Sequence, residues 1–218
     1  MQISGAIGIQ ARMSSRRFPG KSMAPICGKP MIQHVIDRCF LSKEIKIVFL
    51  LTSTDASDDV LADFVQRQTQ AAVQRGNLND VFSRYWDLVR HQNLDFVVRI
   101  CGDSPLISPS LIDECISCFS NEIDLVTNVF PRSFPNGQSV EIINRAALEK
   151  MSILTLTDEE KEHVTKFIYN NRCDFNIRSI FPKVKLCKQD SFVIDSVEDY
   201  YRVESYIKEG KNTDFGCL

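Results

Sequence analysis

The chain has 218 residues, of which 44% are hydrophobic and 25% charged. That make-up suits a compact fold with one sizeable core and excludes a wholly disordered or fibrous protein, so a single domain over residues 1–218 is expected. A formal charge of −2 excludes a protein that holds nucleic acid by bulk electrostatics, which takes a clear excess of Lys and Arg.

Along the chain, the apolar run Ile3–Ile9 predicts a first strand, followed by a polar loop and then the helical spacing of Met31, Ile32, Val35, Ile36 and Cys39. Ile45–Leu51 repeats the order, with Thr52-Ser53-Thr54-Asp55 leading into a helix through Val60, Leu61, Phe64 and Val65, and Ala71–Val73 a short third strand. Next come a helix over Asp80–His91, a strand over Phe96–Cys101, a helix over Pro109–Phe119 and a strand over Asp124–Val129. Alternating strands and helices predict an α/β fold of three layers, a doubly wound and mostly parallel sheet.

Phe130–Gly137, with Pro131, Pro135 and Gly137, interrupts that rhythm. Beyond it a short strand over Gln138–Ile143, helices over Arg145–Met151 and Asp158–Asn170, a strand over Ser191–Ile194 and a closing helix through Tyr201, Val203 and Tyr206 are expected.

Charge is unevenly placed. Residues 1–36 hold Arg12, Arg16, Arg17, Lys21 and Lys29 and no carboxylate, so this end carries +5 and the remainder −7. A local anion site is expected there. The first residues lack a basic stretch ahead of a long apolar run, and no run reaches transmembrane length, which predicts a cytoplasmic protein with no membrane contact. Eight cysteines, at 27, 39, 101, 115, 118, 173, 187 and 217, form no dense disulfide framework. Cys115 and Cys118 lie in a helical pattern with no second pair, which assigns them to packing.

The loop from Gln10 to Lys21, Gln-Ala-Arg-Met-Ser-Ser-Arg-Arg-Phe-Pro-Gly-Lys, joins the first strand to the first helix, where open α/β sheets bind nucleotides. Its guanidinium forks, point-charged Lys21 and small residues suit a triphosphate, although it matches neither common phosphate-loop pattern and a solvated basic loop has the same charge. Asp103 and Asp195 each follow an apolar strand, so a parallel sheet could bring both to one edge, where they could hold Mg²⁺ against phosphates. Asp103 before Ser-Pro also suits a turn, and Asp195 with Glu198 a helix cap.

The ordered string Ala11, Arg12, Ser15, Arg17, Pro19 and Lys21 resembles the loop of the CMP-sugar synthetase superfamily of cytidylyltransferases. Further motifs resemble its spore-coat polysaccharide branch: Gly28-Lys29-Pro30-Met31 with His34-Val35, Gly102-Asp103-Ser104-Pro105-Leu106-Ile107, Glu162-His163-Val164-Thr165, and Val193-Ile194-Asp195-Ser196-Val197-Glu198-Asp199-Tyr200. The resemblance spans nearly the whole chain and implies the Rossmann-like variant fold of nucleotide-diphospho-sugar transferases. It implies a cytidylyltransferase that moves CMP from CTP to a sugar or sugar acid and releases pyrophosphate, with Mg²⁺ on Asp103 and Asp195.

The resemblance further implies that Gln10, Ala11, Arg12, Ser14, Ser15, Arg17, Lys21, Arg75, Gly76, Asp80 and Asp103 bind the nucleotide, with Arg12, Arg17, Lys21 and Asp103 catalytic. Gln138, Glu141, Glu162 and His163 would face the acceptor. A homodimer formed through residues 131–170 is implied as well. Ser14 stands where the family usually has glycine, which is tolerated where the backbone needs no positive φ. Ser139 replaces a usual acid. Two other readings remain: a glycosyltransferase of the same fold, which would usually show the DxD that Gly102-Asp103-Ser104 lacks, and a catalytically silent nucleotide-sugar binder.

Overall fold

In the computed structural model, which describes residues 3–183, 190–211 and 213–215, nine strands and eight α-helices alternate along the chain among the described residues. Strands β1 (Gly5–Gln10), β4 (Val48–Ser53), β5 (Ala72–Gly76), β6 (Phe96–Cys101), β7 (Leu125–Thr127), β8 (Glu141–Asn144) and β9 (Ile177–Ser179) form one sheet in the order β5-β4-β1-β6-β8-β7-β9. Pairings among β5, β4, β1 and β6 are all parallel. β8 then enters antiparallel between β6 and β7, and β9 runs parallel to β7. The expected mostly parallel sheet is present, with one reversed strand in its second half.

β1 is central because Ala6, Ile7 and Ile9 are fully buried on alternating faces, as a strand covered on both sides requires. Helices α1 (Met31–Phe40) and α4 (Pro109–Ser117) cover one face with Ile32, Val35, Ile36, Leu111, Ile112 and Cys115. The opposite face is covered by α3 (Val81–His91), α5 (Arg145–Ser152), and by Val164 and Ile168 beside and within α7 (Lys166–Asn170). α2 (Asp59–Gln68) buries Leu61 and Val65 in the first of these cores. Cys115 is buried in that core, so the packing assignment holds for it; Cys187 and Cys217 lie outside the described residues.

Strands β2 (Pro25–Ile26) and β3 (Lys29–Pro30) form a small hairpin whose two-residue turn, Cys27-Gly28, takes φ of 47° and 84°. Positive φ at both positions matches the twist of a tight hairpin.

Three expectations change. The helix expected over 158–170 is two, α6 (Asp158–Glu162) and α7, because Val164 turns inward to full burial and His163 leaves the helical path at φ −105°, ψ 66°. Ser191–Ile194 makes an isolated bridge from Ser191 to Asn136 rather than a strand; Phe192 and Ile194 bury instead in a third core with Ile26, Met31, Leu106 and Val203. The cap of the closing helix α8 (Val197–Lys208) is a reciprocal pair of Ser196 and Asp199, which leaves Asp195 free of capping duty. Among the described residues no helix is long and apolar enough to cross a membrane.

Candidate active site

The loop after β1 is fixed from beneath by Asp58, a fully buried carboxylate in the turn preceding α2. Its Oδ1 accepts from the Met13 amide at 2.7 Å, and its Oδ2 from the Ser53 amide at 3.1 Å and the Ser53 hydroxyl. Three donors make the buried charge tenable, and they bind the loop to the end of β4. Ser22 Oγ donates to the Arg12 carbonyl at 3.1 Å, and the Gly20 amide to the Met13 carbonyl at 3.0 Å. Gly20 closes the loop with φ of 74°, where a side chain would be strained. Ser14 is not among the positive-φ residues, so its departure from glycine is accommodated.

Gly102 delivers the next group. Its amide donates to the Gln10 carbonyl at 2.9 Å, and a Cβ there would lie 2.6 Å from that of Ala11, so only glycine lets the end of β6 pass so close to the loop. Asp103 follows directly. Lys21 Nζ donates to Asp103 Oδ2 at 3.3 Å, to Asp195 Oδ1 at 2.8 Å and to the Ile194 carbonyl at 2.8 Å, while Arg17 pairs with Asp195 Oδ2 at 2.8 Å. Two carboxylates distant in sequence therefore converge on one ammonium. The Ile194 amide, bonded to the Asp103 carbonyl at 3.0 Å, ties the two segments together. A pair of carboxylates is the donor set suited to Mg²⁺, which keeps waters and takes substrate phosphates for its remaining positions. No group of three or more potential metal-ligating side chains gathers among the described residues.

Across the site, Arg12 pairs with Glu162 at 2.8 Å and donates to the Leu78 carbonyl at 3.4 Å. Glu162 ends α6, which starts on a reciprocal cap of Thr157 and Glu160. His163 follows it into the cavity wall.

These groups surround one open cavity of about 950 Å³. Of the residues expected from sequence, Gln10, Ala11, Arg12, Ser14, Ser15, Arg17, Lys21, Asp103, Glu162, His163 and Asp195 all line it. Five expected residues do not. Arg75 turns to Asp59 and the Ser53 and Asp55 carbonyls, Gly76 packs against Arg84, and Asp80 caps α3 through the Ser83 amide. Gln138 is buried between the Ser108 amide and the Leu106 carbonyl. Glu141 is buried on β8, its two oxygens taken by Arg99 and by the Tyr169 hydroxyl.

The cavity also holds residues the sequence reading did not assign to it. Arg84 is buried in its wall, donates to the Leu51 carbonyl at 3.2 Å and leaves Nε unpaired; burial draws its pKa down. Arg99 stands on β6 at the cavity's inner wall. Burial would lower its pKa, but the Glu141 carboxylate, by its charge and the hydrogen bond it accepts, works against that, and the pKa stands above the usual value. Burial also pushes the Cys101 thiol up to about 11, which keeps it neutral. A lone arginine inside the apolar run Phe-Val-Val-Arg-Ile-Cys was the available signal for Arg99.

A family model described as cytidylyltransferase matches residues 6–209. The spore coat polysaccharide biosynthesis protein SpsF of Bacillus subtilis (strain 168) is 28% identical over 213 residues, covering 94% of this chain and 88% of that protein. An 8-amino-3,8-dideoxy-manno-octulosonate cytidylyltransferase of Shewanella baltica (strain OS155) is 34% identical over 148 residues, 65% of this chain and 55% of the relative, so the match spans about half of that enzyme's length. Among solved structures, a cytidylyltransferase from Leptospira borgpetersenii superposes with a TM-score of 0.91 at 29% identity, covering 99% of this chain and 91% of that one.

Proposed function

Because this chain belongs to the cytidylyltransferase family, it is a CTP-using nucleotidyltransferase, and we propose that it transfers CMP from CTP to a sugar acid and releases pyrophosphate. The observation that carries this reading is the meeting of Lys21, Asp103 and Asp195 beside the cationic loop.

In the proposed reaction an acceptor hydroxyl oxygen attacks the α-phosphorus and gives up its proton to solvent. The new oxygen–phosphorus bond forms as the bond to the bridging oxygen of the β-phosphate breaks, and pyrophosphate leaves with that electron pair. Arg12, Arg17 and Lys21 lie where they would offset the charge gathering on the phosphates, and such chemistry depends on positioning and electrostatics rather than on a covalent nucleophile. Asp103 and Asp195 would hold a divalent cation, Mg²⁺ in this reading, which when bound adds positive charge against the phosphates. Glu162, paired with Arg12, and His163 beside it also line the cavity and would hold the acceptor.

A sugar acid as acceptor is supported by the name of the Shewanella relative, and a role in surface polysaccharide synthesis by that of SpsF. The same reading has a cytoplasmic homodimer formed through residues 131–170, supported by exposed Ile153 and Leu154 just after α5. Light scattering on the purified protein should give twice the chain mass.

The test of substrate class is incubation with Mg²⁺ and each of the four nucleoside triphosphates against sugar acids, amino sugars and polyol phosphates, with pyrophosphate and product mass recorded. CTP paired with a sugar acid should be the productive combination. Turnover without preference for CTP overturns the assignment.

A further inference from the structure

Gln10 is the last residue of β1, at the centre of the sheet, and its side chain faces the cavity. Its amide has a donor end and an acceptor end, and which end faces the ligand decides what that ligand must offer. Arg99 Nε lies 2.9 Å from Gln10 Oε1, and the Tyr85 hydroxyl lies 3.4 Å from the same oxygen. A guanidinium only donates, so the atom facing Arg99 has to be the amide oxygen. Gln10 Nε2 makes no hydrogen bond among the described residues and is left for the cavity.

Arg99 cannot readily turn away to release that choice. It is paired with Glu141 across the β6–β8 ladder, where the two residues face each other in register, and their side chains are 10% and 3% exposed. The second oxygen of Glu141 is taken by the Tyr169 hydroxyl, which in turn meets Thr127 Oγ1 at 2.8 Å. Tyr169 is held by stacking on Phe130, ring centres 4.6 Å apart. Hydrogen bonds thus run without a gap from Thr127 through Tyr169, Glu141 and Arg99 to Gln10 Oε1, a buried polar network of the kind that favours one arrangement.

We propose that Gln10 presents its amide N–H groups as a fixed donor to a ligand oxygen, and that Arg99 and Glu141 are positioning residues that set this orientation. The inference rests on the cytidylyltransferase reading for the identity of the ligands only. The oxygen recognised is a carbonyl, carboxylate or hydroxyl oxygen, from the nucleobase or from the sugar acid. Glu141 therefore serves specificity from behind the cavity rather than by touching the acceptor.

The test measures binding, not turnover, so it stands apart from the test of the reaction. CTP, and separately 8-amino-3,8-dideoxy-manno-octulosonate in the presence of CMP, are titrated calorimetrically into the wild-type protein, Gln10→Glu and Glu141→Gln, with thermal melts to confirm folding. Gln10→Glu keeps an acceptor toward Arg99 and replaces the donor by a negatively charged oxygen, while Gln10→Met, titrated alongside, removes the donor without adding charge. Each should weaken the ligand that supplies the oxygen roughly tenfold. A loss in the CTP arm assigns the nucleobase, and a loss in the sugar-acid arm assigns the acceptor.

Glu141→Gln makes the surroundings more positive, so a simple field effect would tighten binding of either anion. Loss of orientation instead weakens the same ligand that Gln10→Glu weakens. The proposal is overturned if the two variants act in opposite directions, or if folded Gln10→Glu changes neither arm by more than about twofold. Should Glu141→Gln fail to fold, the uncharged Gln10→Met decides: it should weaken the same ligand as Gln10→Glu, and an unchanged affinity in both arms overturns the proposal.

Discussion

The two halves of the sheet build their shares of the cavity by different means. In the parallel half, β5-β4-β1-β6, the groups that meet the proposed triphosphate come from short connections at strand ends, where the fold itself places ligands. In the mixed half, β8-β7-β9, the groups arrive by long returns of the chain: Glu162 and His163 from the junction of α6 and α7, and, behind the cavity rather than lining it, Glu141 from the reversed strand β8. In the proposed reading the first half is an anion site whose cations come from one local loop, with Asp195 alone brought in from a distant segment. The second depends on tertiary packing to aim its side chains, which makes it the place where acceptor choice can vary while the phosphate chemistry stays the same.

That contrast breaks if the parallel half proves dispensable. Lys21→Ala and Asp103→Ala should each lower the turnover rate by on the order of 10² to 10³, or roughly 2.7–4 kcal/mol, while melting curves stay close to wild type. The next effect is on stability. Asp58→Ala orphans the donors at Met13 and Ser53 and should cost roughly 3 kcal/mol in a urea unfolding experiment, with CTP binding weakened because the loop loses its anchor.

Two smaller effects sharpen the comparison from the other side. Glu162→Gln should raise the KM for the acceptor roughly tenfold, about 1.4 kcal/mol, and leave the KM for CTP nearly unchanged. Its half-exposed ion pair with Arg12 is worth less than about 1 kcal/mol to the fold, so the melting temperature should scarcely move. Thr157→Ala removes the reciprocal cap of α6 and should cost about 1 kcal/mol without altering CTP affinity. If Glu162→Gln moved the CTP value instead, the division between the halves would be wrong.

The same contrast explains what could be read from sequence. The loop from Gln10 to Lys21 was legible because its residues are consecutive and its place after a buried strand is set by local order. Asp103 was legible for the same reason, with Gly102 as the residue that permits the close approach. Asp195 was less legible: the residues offered either a carboxylate beside Asp103 or a helix cap, the resemblance favoured the first, and the cap belongs to Ser196 and Asp199.

The division of α6 from α7 left no glycine or proline to mark it; the break follows from burying Val164, a tertiary event. β9 is three residues long, too short for alternation to announce it, and exists through its pairing with β7. Phe192 and Ile194 have the alternation of a strand, yet their burial serves a third core rather than a ladder. Gln138 and Glu141 were expected to face the acceptor by resemblance; Glu141 is turned into the interior on antiparallel β8, and Gln138, ahead of that strand, is buried between the Ser108 amide and the Leu106 carbonyl.

The most direct test of the central claim follows the two ends of the triphosphate separately. CTP labelled at the α-phosphorus and CTP labelled at the γ-phosphorus are each incubated with Mg²⁺ and the productive sugar acid, using the wild-type protein and Lys21→Ala. The α label should pass into a sugar product carrying CMP and the γ label into pyrophosphate, with both transfers lowered on the order of 10² to 10³ in Lys21→Ala. Passage of the γ label to the acceptor, or equal rates in the two proteins, would contradict the account.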